Sequence, residues 1–317
     1  MSWGFITSFF TAKTNLLWAA LVSVLVSSTI SYLFHRREIR HRLATEYEYE
    51  QRKELRDIIG LYHGRLLSAG NSLNYRFWNL YSNQDKSWLM VRGAYDPKRY
   101  YFHSFVYRFL AVGVLMRQFE RKAIFVDARI AEQHDFLFLK YLATMHWCLT
   151  DVALFQGLAY DSSEDTDHFF ADAFRGYCDT CVQDSNVIEF NDFVELVQKN
   201  RSLDPVLRFF DSLCRKEERF RWDRLVVFHL LIVAFINTFG YIEQRTSRAK
   251  IEGIAEEIKN REVLANLIQW LPRHGLGQDR ESKMLIRTCR KVARMAEQIF
   301  PADGPTSAGP VATGHSC

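Results

Sequence analysis

The feature that most constrains this chain is an uncharged apolar run near its N-terminus. Residues 16–34 contain no charged side chain, and ten of these nineteen positions are Leu, Ile, Val or Phe. Nineteen residues of α-helix rise about 28 Å, which is close to the hydrocarbon thickness of a bilayer. Trp18 and Tyr32 lie near the two ends of the run, where aromatic rings favour the membrane interface. The run therefore predicts a transmembrane helix over residues 15–34.

The residues that flank this run favour a retained anchor over a cleaved signal peptide. A signal peptide has a shorter apolar region, with positive charge before it and a small-residue cleavage site after it. In this chain Lys13 is the one charged side chain before the run, whereas His35, Arg36 and Arg37 follow it directly. Excess Lys and Arg stay on the cytoplasmic side, so residues 1–14 are expected outside and the rest of the chain in the cytosol.

A second run, over residues 225–242, is as apolar as the first. It holds twelve Leu, Ile, Val or Phe residues, but also His229 and Asn237 near its middle. A span here would carry the Lys- and Arg-rich C-terminal part outside, against the charge rule. Polar groups in the middle of the run also indicate hydrogen-bond partners in a protein interior. We interpret the run as the central helix of a domain, with a second span as the alternative.

Small side chains recur every four residues in the first run and form a ribbon on one face of the predicted span. They are Ala19, Ser23, Ser27 and Ser31. Helices associate in lipid through close backbone approach and interhelical hydrogen bonds, which small residues permit. The ribbon predicts a homo-oligomer, with a dimer expected because two-fold assemblies are commonest. The alternative is a monomer whose serines hydrogen-bond back to their own helix.

The rest of the chain shows helical periodicity. Six prolines and fifteen glycines are few turn residues for 317 positions, which favours long helices over strands. The predicted fold class is all-α: the transmembrane helix continues into a juxtamembrane stalk helix over residues 35–82, followed by a multi-helix cytosolic bundle over residues 83–300. Residues 301–317 are rich in Pro, Gly, Ser and Thr and predict a disordered tail. Residues 187–190 have a strand pattern, and residues 248–271 the pattern of one amphipathic helix.

Charge is unevenly distributed along the chain. Residues 151–200 contain eleven acidic residues against one Arg and one Lys, and residues 245–300 contain twelve basic residues against seven acidic ones. A basic C-terminal part can contact anionic lipid or nucleic acid. Charge blocks are more often solvated surface that complements an acidic part of the same chain. We therefore do not expect nucleic acid as a partner, and we expect the lipid bilayer because of the predicted transmembrane helix.

The sequence lacks motifs for catalysis and for metal or cofactor binding. It has no H-E-x-x-H, no phosphate-binding loop, no dinucleotide-binding glycine motif and no G-x-S-x-G. Cys178 and Cys181 form a C-x-x-C, but a structural zinc site needs a second pair of ligands, so we interpret them as core cysteines. Six scattered cysteines do not resemble a disulfide framework and fit a reducing compartment. We expect no cofactor and no metal, and the missing motifs argue against an enzyme.

Three arginines lie in or beside apolar helical patterns: Arg108, Arg117 and Arg175. A buried guanidinium group needs an acidic partner, because its charge is costly to bury unpaired. Acidic residues that could supply this partner are Glu120, Asp127 and Asp151. We interpret the arginines as members of an interhelical ion-pair network. The alternative is that they converge on a pocket for an anionic ligand.

Three segments carry a resemblance to known proteins. They are residues 72–80, residues 101–125 and the tripeptide Phe174-Arg175-Gly176. With them, the chain resembles a loose group of uncharacterised bacterial proteins that have one N-terminal transmembrane helix and a helical cytosolic domain. The resemblance implies the same single-pass architecture in the bacterial cytoplasmic (inner) membrane, and it implies no particular activity.

Two hypotheses for the function follow. The first is a membrane-tethered helical protein that acts by self-assembly or by binding an unknown protein partner, for example as a bacterial stress or phage-defence component. It depends on the predicted anchor, the stalk and the missing catalytic motifs. The second is a membrane-bound enzyme or ligand sensor with an arginine-lined helical pocket around Arg108, Arg117 and Arg175. Convergence of these side chains on open space would favour the second hypothesis.

Overall fold

The all-α prediction is confirmed by the structure, a computed structural model in which helix accounts for 75% of the chain. The described residues form ten α-helices and one short hairpin. The predicted tail over residues 301–317 lies outside them. The structure describes residues 3–124, 127–163 and 166–299, with all their side chains except those of residues 3–17, 19, 128 and 296–299.

The helices follow one another with short connections. Their bounds are α1 Trp3–Ser82, α2 Tyr100–Ala123, α3 Gln133–Thr150, α4 Ala171–Thr180, α5 Phe190–Lys199, α6 Asp204–Phe210, α7 Arg221–Phe239, α8 Arg248–Glu256, α9 Arg261–Arg273 and α10 Arg280–Ile299.

A two-stranded antiparallel hairpin separates α4 from α5. Its strands are β1 (Val182–Gln183) and β2 (Asn186–Val187). Asp184 and Ser185 form the turn with φ values of 49° and 62°, which match the twist that a two-residue hairpin turn needs. The first residue of the predicted strand over residues 187–190 lies in β2, and the fourth already begins α5.

The chain divides into two compact units. The first comprises Met1–Arg56 and Val126–Ala131, and the second comprises Asp57–Phe125 and Glu132–Cys317. In the first unit, Nε of Arg52 donates a hydrogen bond to the carbonyl of Ile130 at 2.9 Å, which ties the short segment to α1. The side chains at positions 20–50 of α1 are all exposed.

The C-terminal third of α1, from Asp57 onward, supplies one wall of the core of the second unit. Leu66, Leu73 and Phe77 are at most 2% exposed, and their spacing keeps them on one helix face. The ring of Phe77 packs edge-on against Phe105 of α2, with 5.3 Å between the ring centroids. The apolar stripe of the predicted stalk is therefore buried within one domain over this part of the helix.

Helix α7 occupies the centre of the second unit. All of its residues except Thr238 are buried. Among the helices whose side chains are described, it is the one long and apolar enough to cross a membrane, and 94% of its apolar window is buried inside the protein. It packs against α3, α8 and α10. This is the arrangement of a central helix, with the bounds Arg221–Phe239 instead of residues 225–242.

Both polar residues in the middle of α7 have hydrogen-bond partners. Nε2 of His229 lies 2.8 Å from Oδ1 of Asn74, and its Nδ1 lies 3.0 Å from the hydroxyl of Tyr81. Asn237 donates to the carbonyl of Thr246 at 3.1 Å and accepts from its amide at 2.8 Å. These bonds satisfy groups that would be costly to bury alone.

The prediction of a single helix over residues 248–271 is wrong, because the chain breaks between α8 and α9. Asp223, fully buried in the first turn of α7, accepts hydrogen bonds from the backbone amides of Lys259 and Asn260 at 2.8 and 3.1 Å. Backbone amides at the start of a helix have no hydrogen-bond partner within the helix. The carboxylate of Asp223 supplies that partner for the two amides directly before α9. The hydrophobic periodicity of residues 248–271 does not depend on Asp223, which lies far upstream in the sequence. It therefore could not indicate the break between α8 and α9.

Candidate ligand pocket between α2, α3 and α4

A cavity of about 360 Å³ lies between α2, α3 and α4 in the second unit. Its volume is within the range of small-molecule pockets. Most of its wall is apolar. The apolar side chains include Met116, Phe119, Leu139, Leu142, Trp147 and Phe174, and the polar ones are Arg117, Glu120, His146 and Arg175.

Two of the polar lining residues, Arg117 and Arg175, share one carboxylate. Nη1 of Arg117 lies 2.7 Å from Oε2 of Glu120, and Nη2 of Arg175 lies 2.9 Å from Oε1. Burial alone would raise the pKa of Glu120, but hydrogen bonds from both arginines outweigh it and hold this pKa below its ordinary value. Arg175 also pairs with Asp172 at 3.0 Å, and Nε of Arg117 lies 3.5 Å from Asp179. The two arginines therefore belong to an ion-pair network that joins α2 to α4.

Helical spacing explains why these charges meet. Arg117 and Glu120 are three residues apart on α2, and Asp172 and Arg175 are three residues apart on α4. Residues at this spacing lie on the same helix face. Since α2 and α4 pack against each other, each helix brings one such pair to the shared edge of the cavity.

Two buried nitrogen atoms at the cavity make no hydrogen bond within the described residues. Nε of Arg117 still lies 3.5 Å from the carboxylate of Asp179, whereas Nε2 of His146 has no polar partner there. The pKa of His146 is lowered, first by burial and then by the charge of Arg175, which favours the neutral ring near pH 7. Buried polar groups in proteins nearly always have a partner. A ligand with a hydrogen-bonding group would supply one here.

Arg108 does not share this pocket. It is nine residues from Arg117 on α2, which is about two and a half helical turns and places the two side chains on opposite faces. Nε of Arg108 donates to Oγ of Ser72 at 2.9 Å, and the side chain lines a separate groove. The structure thus brings together two of the three arginines singled out from the sequence.

The three acidic residues considered as partners for these arginines have different roles. Glu120 pairs with two arginines, as described above. Asp127 pairs with Arg129 at 2.8 Å, and Oδ2 of Asp151 accepts a hydrogen bond from Nε1 of Trp270 at 3.0 Å. Of the three, only Glu120 lies three residues from one of these arginines, and this spacing to Arg117 is the sequence signal that favours it.

The thiol and carboxyl groups at the pocket are in forms that suit ligand binding better than covalent chemistry. Burial raises the pKa of the Cys178 thiol, which lines the cavity, so the nucleophilic thiolate is disfavoured. Burial likewise raises the pKa of Cys181 to about 12. Glu120 is ionised and held by two arginines, which makes it a poor proton acceptor. His146 remains as a neutral hydrogen-bonding group at the wall.

Sequence reasoning missed three polar residues of this site: His146, Asp172 and Asp179. The signal that could have identified His146 is a histidine at helical spacing among the apolar residues of α3. Asp172 was identifiable from its three-residue spacing to Arg175. Asp179, which pairs with Arg121 at 2.9 Å, depends on the packing of α4 on α2 and left no local signal.

The serine ribbon on α1 is exposed where its side chains are described. Ser23, Ser27 and Ser31 all face away from protein, and the side chain of Ala19 lies outside the described side chains. Oγ of Ser27 lies 3.4 Å from the carbonyl of Val24, a long hydrogen bond back to its own helix. Both the oligomer hypothesis and the alternative of serines bonded to their own helix therefore stand.

Comparison with protein-family models, with curated proteins and with solved structures gave no match.

Proposed function

We propose that the protein is a membrane-tethered helical protein that acts by self-assembly or by binding a protein partner. The observation that carries this proposal is a band of exposed apolar side chains on α1. Each is at least 47% exposed: Trp18, Leu21, Val22, Val24, Leu25, Val26, Ile30, Tyr32, Leu33 and Phe34.

The band covers all sides of the helix, which separates it from an amphipathic stripe. A helix that is apolar all round is buried in a protein core or in a membrane. Removing one such side chain from water lowers the free energy by about 1.5–3 kcal/mol. A bilayer removes the whole band from water at once, and Arg36 and Arg37 at its end favour the cytoplasmic surface.

Membrane extraction tests the tether. Val22→Arg together with Leu25→Arg should release the protein from membranes washed with alkaline carbonate, because each charge costs about 2.5–3.5 kcal/mol at the centre of a span. The matched control is Leu43→Arg, which changes an exposed apolar residue beyond the band. Wild-type protein that is washed off by carbonate would contradict the tether.

Reporter fusions test the proposed topology, with the N-terminus outside and residues 35–317 in the cytosol of a bacterial cell. A reporter active only in the cytosol should work at Glu50, at Ser212 and at the C-terminus. A C-terminal fusion active only outside the cell, with the Ser212 fusion active inside, would make α7 a second span and contradict its assignment as a central helix.

Cross-linking tests self-association through Ala19, Ser23, Ser27 and Ser31. Cysteine placed at Ser23 or Ser27 should form a disulfide-linked dimer in membranes, and replacing both with Leu should weaken association in a membrane two-hybrid assay. Leu25→Cys is the control on the opposite face of α1. Cross-linking at Leu25 without cross-linking at the serines would show that the ribbon is not the interface.

The identity of the protein partner is tested by recovery from membranes followed by mass spectrometry. A partner should be enriched with the wild-type protein and lost with the double arginine variant that leaves the membrane. One specific version of this proposal is that the protein itself is a component of bacterial stress response or phage defence. Recovery of the same proteins with an unrelated single-span protein would remove them as specific partners.

The cavity beside Arg117 and Arg175 supports a second candidate function, a membrane-bound ligand sensor. Its apolar wall, the ion pairs at one edge and the unpartnered Nε2 of His146 fit a small molecule with an apolar body and one polar group. Ala143→Phe would fill the cavity that Ala143 lines. Solvent extracts of the purified wild-type protein should contain a small molecule that is missing from this variant and present with Ala94→Phe, a substitution at an exposed position.

A further inference from the structure

On the side of α2 opposite the ligand pocket, Arg76 of α1 and Arg108 of α2 share a single hydroxyl group. Nη2 of Arg76 donates to Oγ of Ser104 at 2.8 Å, and Nη1 of Arg108 donates to the same oxygen. Ser104 is fully buried. Arg108 also donates from Nε to Oγ of Ser72 at 2.9 Å. Hydroxyl groups thus hold two guanidinium groups side by side.

Neither guanidinium group has an acidic partner in the part of the chain that the structure describes. Their contacts there are hydroxyl groups, the Ser104 carbonyl and the aromatic rings beside Arg76; the hydroxyls are those of Ser72, Ser104 and Tyr100. Neighbouring like charges repel, and partial burial strengthens the repulsion by lowering the dielectric constant. Partly buried arginines in proteins are normally paired with an acidic group or bind an anion. The described residues therefore supply no counter-charge for this pair.

The residues around Arg76 and Arg108 also include arginine and hydroxyl side chains. Arg108 lines an open groove of about 470 Å³ with Arg65 and Ser68, and Arg65 bonds to the amide oxygen of Asn186 instead of a carboxylate. The pKa of Tyr100 is lowered, chiefly by a hydrogen bond with Ser104 and, against a smaller effect of burial, by the charges of Arg108 and Arg76. The groove therefore combines cationic side chains with hydroxyl groups.

We infer that Arg76 and Arg108 form a binding site for a phosphate group, carried either by a soluble phosphate compound or by a phospholipid headgroup. Guanidinium groups present several N–H donors in a planar fork that matches phosphate oxygens. Two positive charges balance a phosphate monoester, which carries about −1.5 to −2 at pH 7. The hydroxyls of Ser72 and Tyr100 lie beside Arg108 and can add donors, whereas the buried hydroxyl of Ser104 holds the two arginines in place.

Charge balance separates this site from the pocket on the other face of α2. There, Arg117 and Arg175 are already neutralised by Glu120, Asp172 and Asp179, so a dianion would meet carboxylates as well as arginines. At Arg76 and Arg108, by contrast, none of the carboxylates that the structure describes forms an ion pair, so none of these opposes an anion. The inference is independent of the tether and of the ligand pocket.

The test measures thermal unfolding of the full chain in two settings. In dodecyl maltoside micelles, inorganic phosphate is the probe. In lipid nanodiscs, phosphatidylcholine alone is compared with phosphatidylcholine containing phosphatidic acid. The variant is Arg76→Gln with Arg108→Gln. The charge-matched control is Arg245→Gln with Arg273→Gln, which removes two exposed arginines.

Phosphate should raise the unfolding temperature of the wild type and of the control, and the double variant should bind at least tenfold more weakly. An effect in micelles identifies a soluble phosphate compound as the source, whereas an effect only with phosphatidic acid identifies a headgroup. Helical circular dichroism checks the fold of the double variant. If it is unfolded, Arg76→Lys with Arg108→Lys replaces it, because lysine keeps the charge but loses the fork.

Two results would overturn the inference. One is a wild-type protein whose unfolding temperature responds neither to phosphate nor to phosphatidic acid. The other is an equal response in the wild type and in the folded double variant, which would place the anion elsewhere on the protein.

Discussion

At the scale of single residues, the buried polar side chain of His229 has a specific hydrogen-bond partner for each of its ring nitrogens. His229 is fully buried and its ring stacks on Phe77, with 4.4 Å between the ring centroids. An amide oxygen can only accept a hydrogen bond, so Nε2 of His229 donates to Asn74 and Nδ1 accepts from Tyr81. This pattern satisfies both ring nitrogens in one neutral tautomer and leaves no place for a second proton.

The first prediction concerns the pH dependence that follows from His229. Burial lowers the pKa of His229 to about 3, whereas the unfolded chain has the ordinary value of about 6.5. As the pH falls from 6.5 towards 3, His229 binds a proton in the unfolded state but not in the folded state. The free energy of unfolding therefore decreases in this pH range. Between pH 7 and pH 5 the loss should be roughly 2 kcal/mol.

Urea unfolding of the full chain in detergent, followed by tryptophan fluorescence at both pH values, measures this loss. His229→Gln should lower stability at pH 7, because the network is no longer fully paired, and should show a smaller loss between pH 7 and pH 5. An equal pH-dependent loss in the variant would assign the effect to other groups.

The second prediction concerns Gly113, where α2 and α4 approach closely. A Cβ atom at this position would lie 2.9 Å from Sγ of Cys178 and 3.1 Å from Cζ of Phe174. Gly113→Ala should therefore lower the free energy of unfolding by roughly 1–3 kcal/mol, as overpacking does. Gly176→Ala in α4 is the matched control, because a Cβ atom there meets nothing within 4 Å and alanine favours the helix by about 1 kcal/mol.

Cys178→Ala added to Gly113→Ala should recover part of the loss, since it removes the sulfur atom that the new methyl group meets. If Gly113→Ala is as stable as the wild type in urea, the close packing of α2 on α4 is not maintained in solution.

At the scale of secondary-structure elements, helix boundaries are set by distant side chains as well as by local sequence. Asp223 in α7 accepts hydrogen bonds from two backbone amides before α9, and a third from Nδ2 of Asn260 at 2.5 Å. Arg221 in the same turn is paired with Glu217 at 2.6 Å and donates to the carbonyl of Phe209 at 2.8 Å. The start of α7 therefore fixes the ends of its neighbours.

The third prediction is that Asp223→Asn destabilises the protein by roughly 1–3 kcal/mol, because an amide is a weaker acceptor than a carboxylate and leaves a donor group facing other donors. The loss should appear in urea unfolding, with faster hydrogen exchange at the amides of Lys259 and Asn260. Asp192→Asn, an exposed acidic residue in the first turn of α5, is the control and should change stability little. Unchanged exchange at both amides would contradict this role.

At the scale of the whole molecule, the distribution of thiols reports how completely the second unit is packed. Cys148, Cys178, Cys181 and Cys289 are free and at most 1% exposed. Burial raises the pKa of each of them, that of Cys289 to about 12. Cys214 is also free and is partly exposed. One thiol should therefore be accessible while four are protected by the core.

The fourth prediction follows from this difference. In the Cys317→Ser background, which removes the thiol outside the described residues, an aromatic disulfide reagent at pH 8 should label Cys214 rapidly. The four buried thiols should react only at the rate of unfolding, because the thiolate is the reactive form. Peptide mapping identifies the labelled positions. Rapid labelling of Cys178 or Cys181 would show that the wall of the ligand pocket opens in the native state.

The sequence by itself determined the all-α class, the position of the uncharged run over residues 16–34, and the need for partners at His229 and Asn237. Each of these depends on local information. Periodicity reports which face of a helix is apolar, and an uncharged run of this length has few alternatives to a membrane or a core. The pairing of Arg117 with Glu120 was also within reach, because both lie on one helix three residues apart.

The tertiary structure alone decided what lies on the two faces of α2. It separated Arg108 from Arg117 and Arg175, brought Arg76 of α1 to Ser104, and formed the pocket around His146. It also broke the helix expected over residues 248–271. The physical reason is the same in each case: these contacts join residues far apart in the chain, and a sequence pattern records the face on which a side chain lies but not the helix that packs against it.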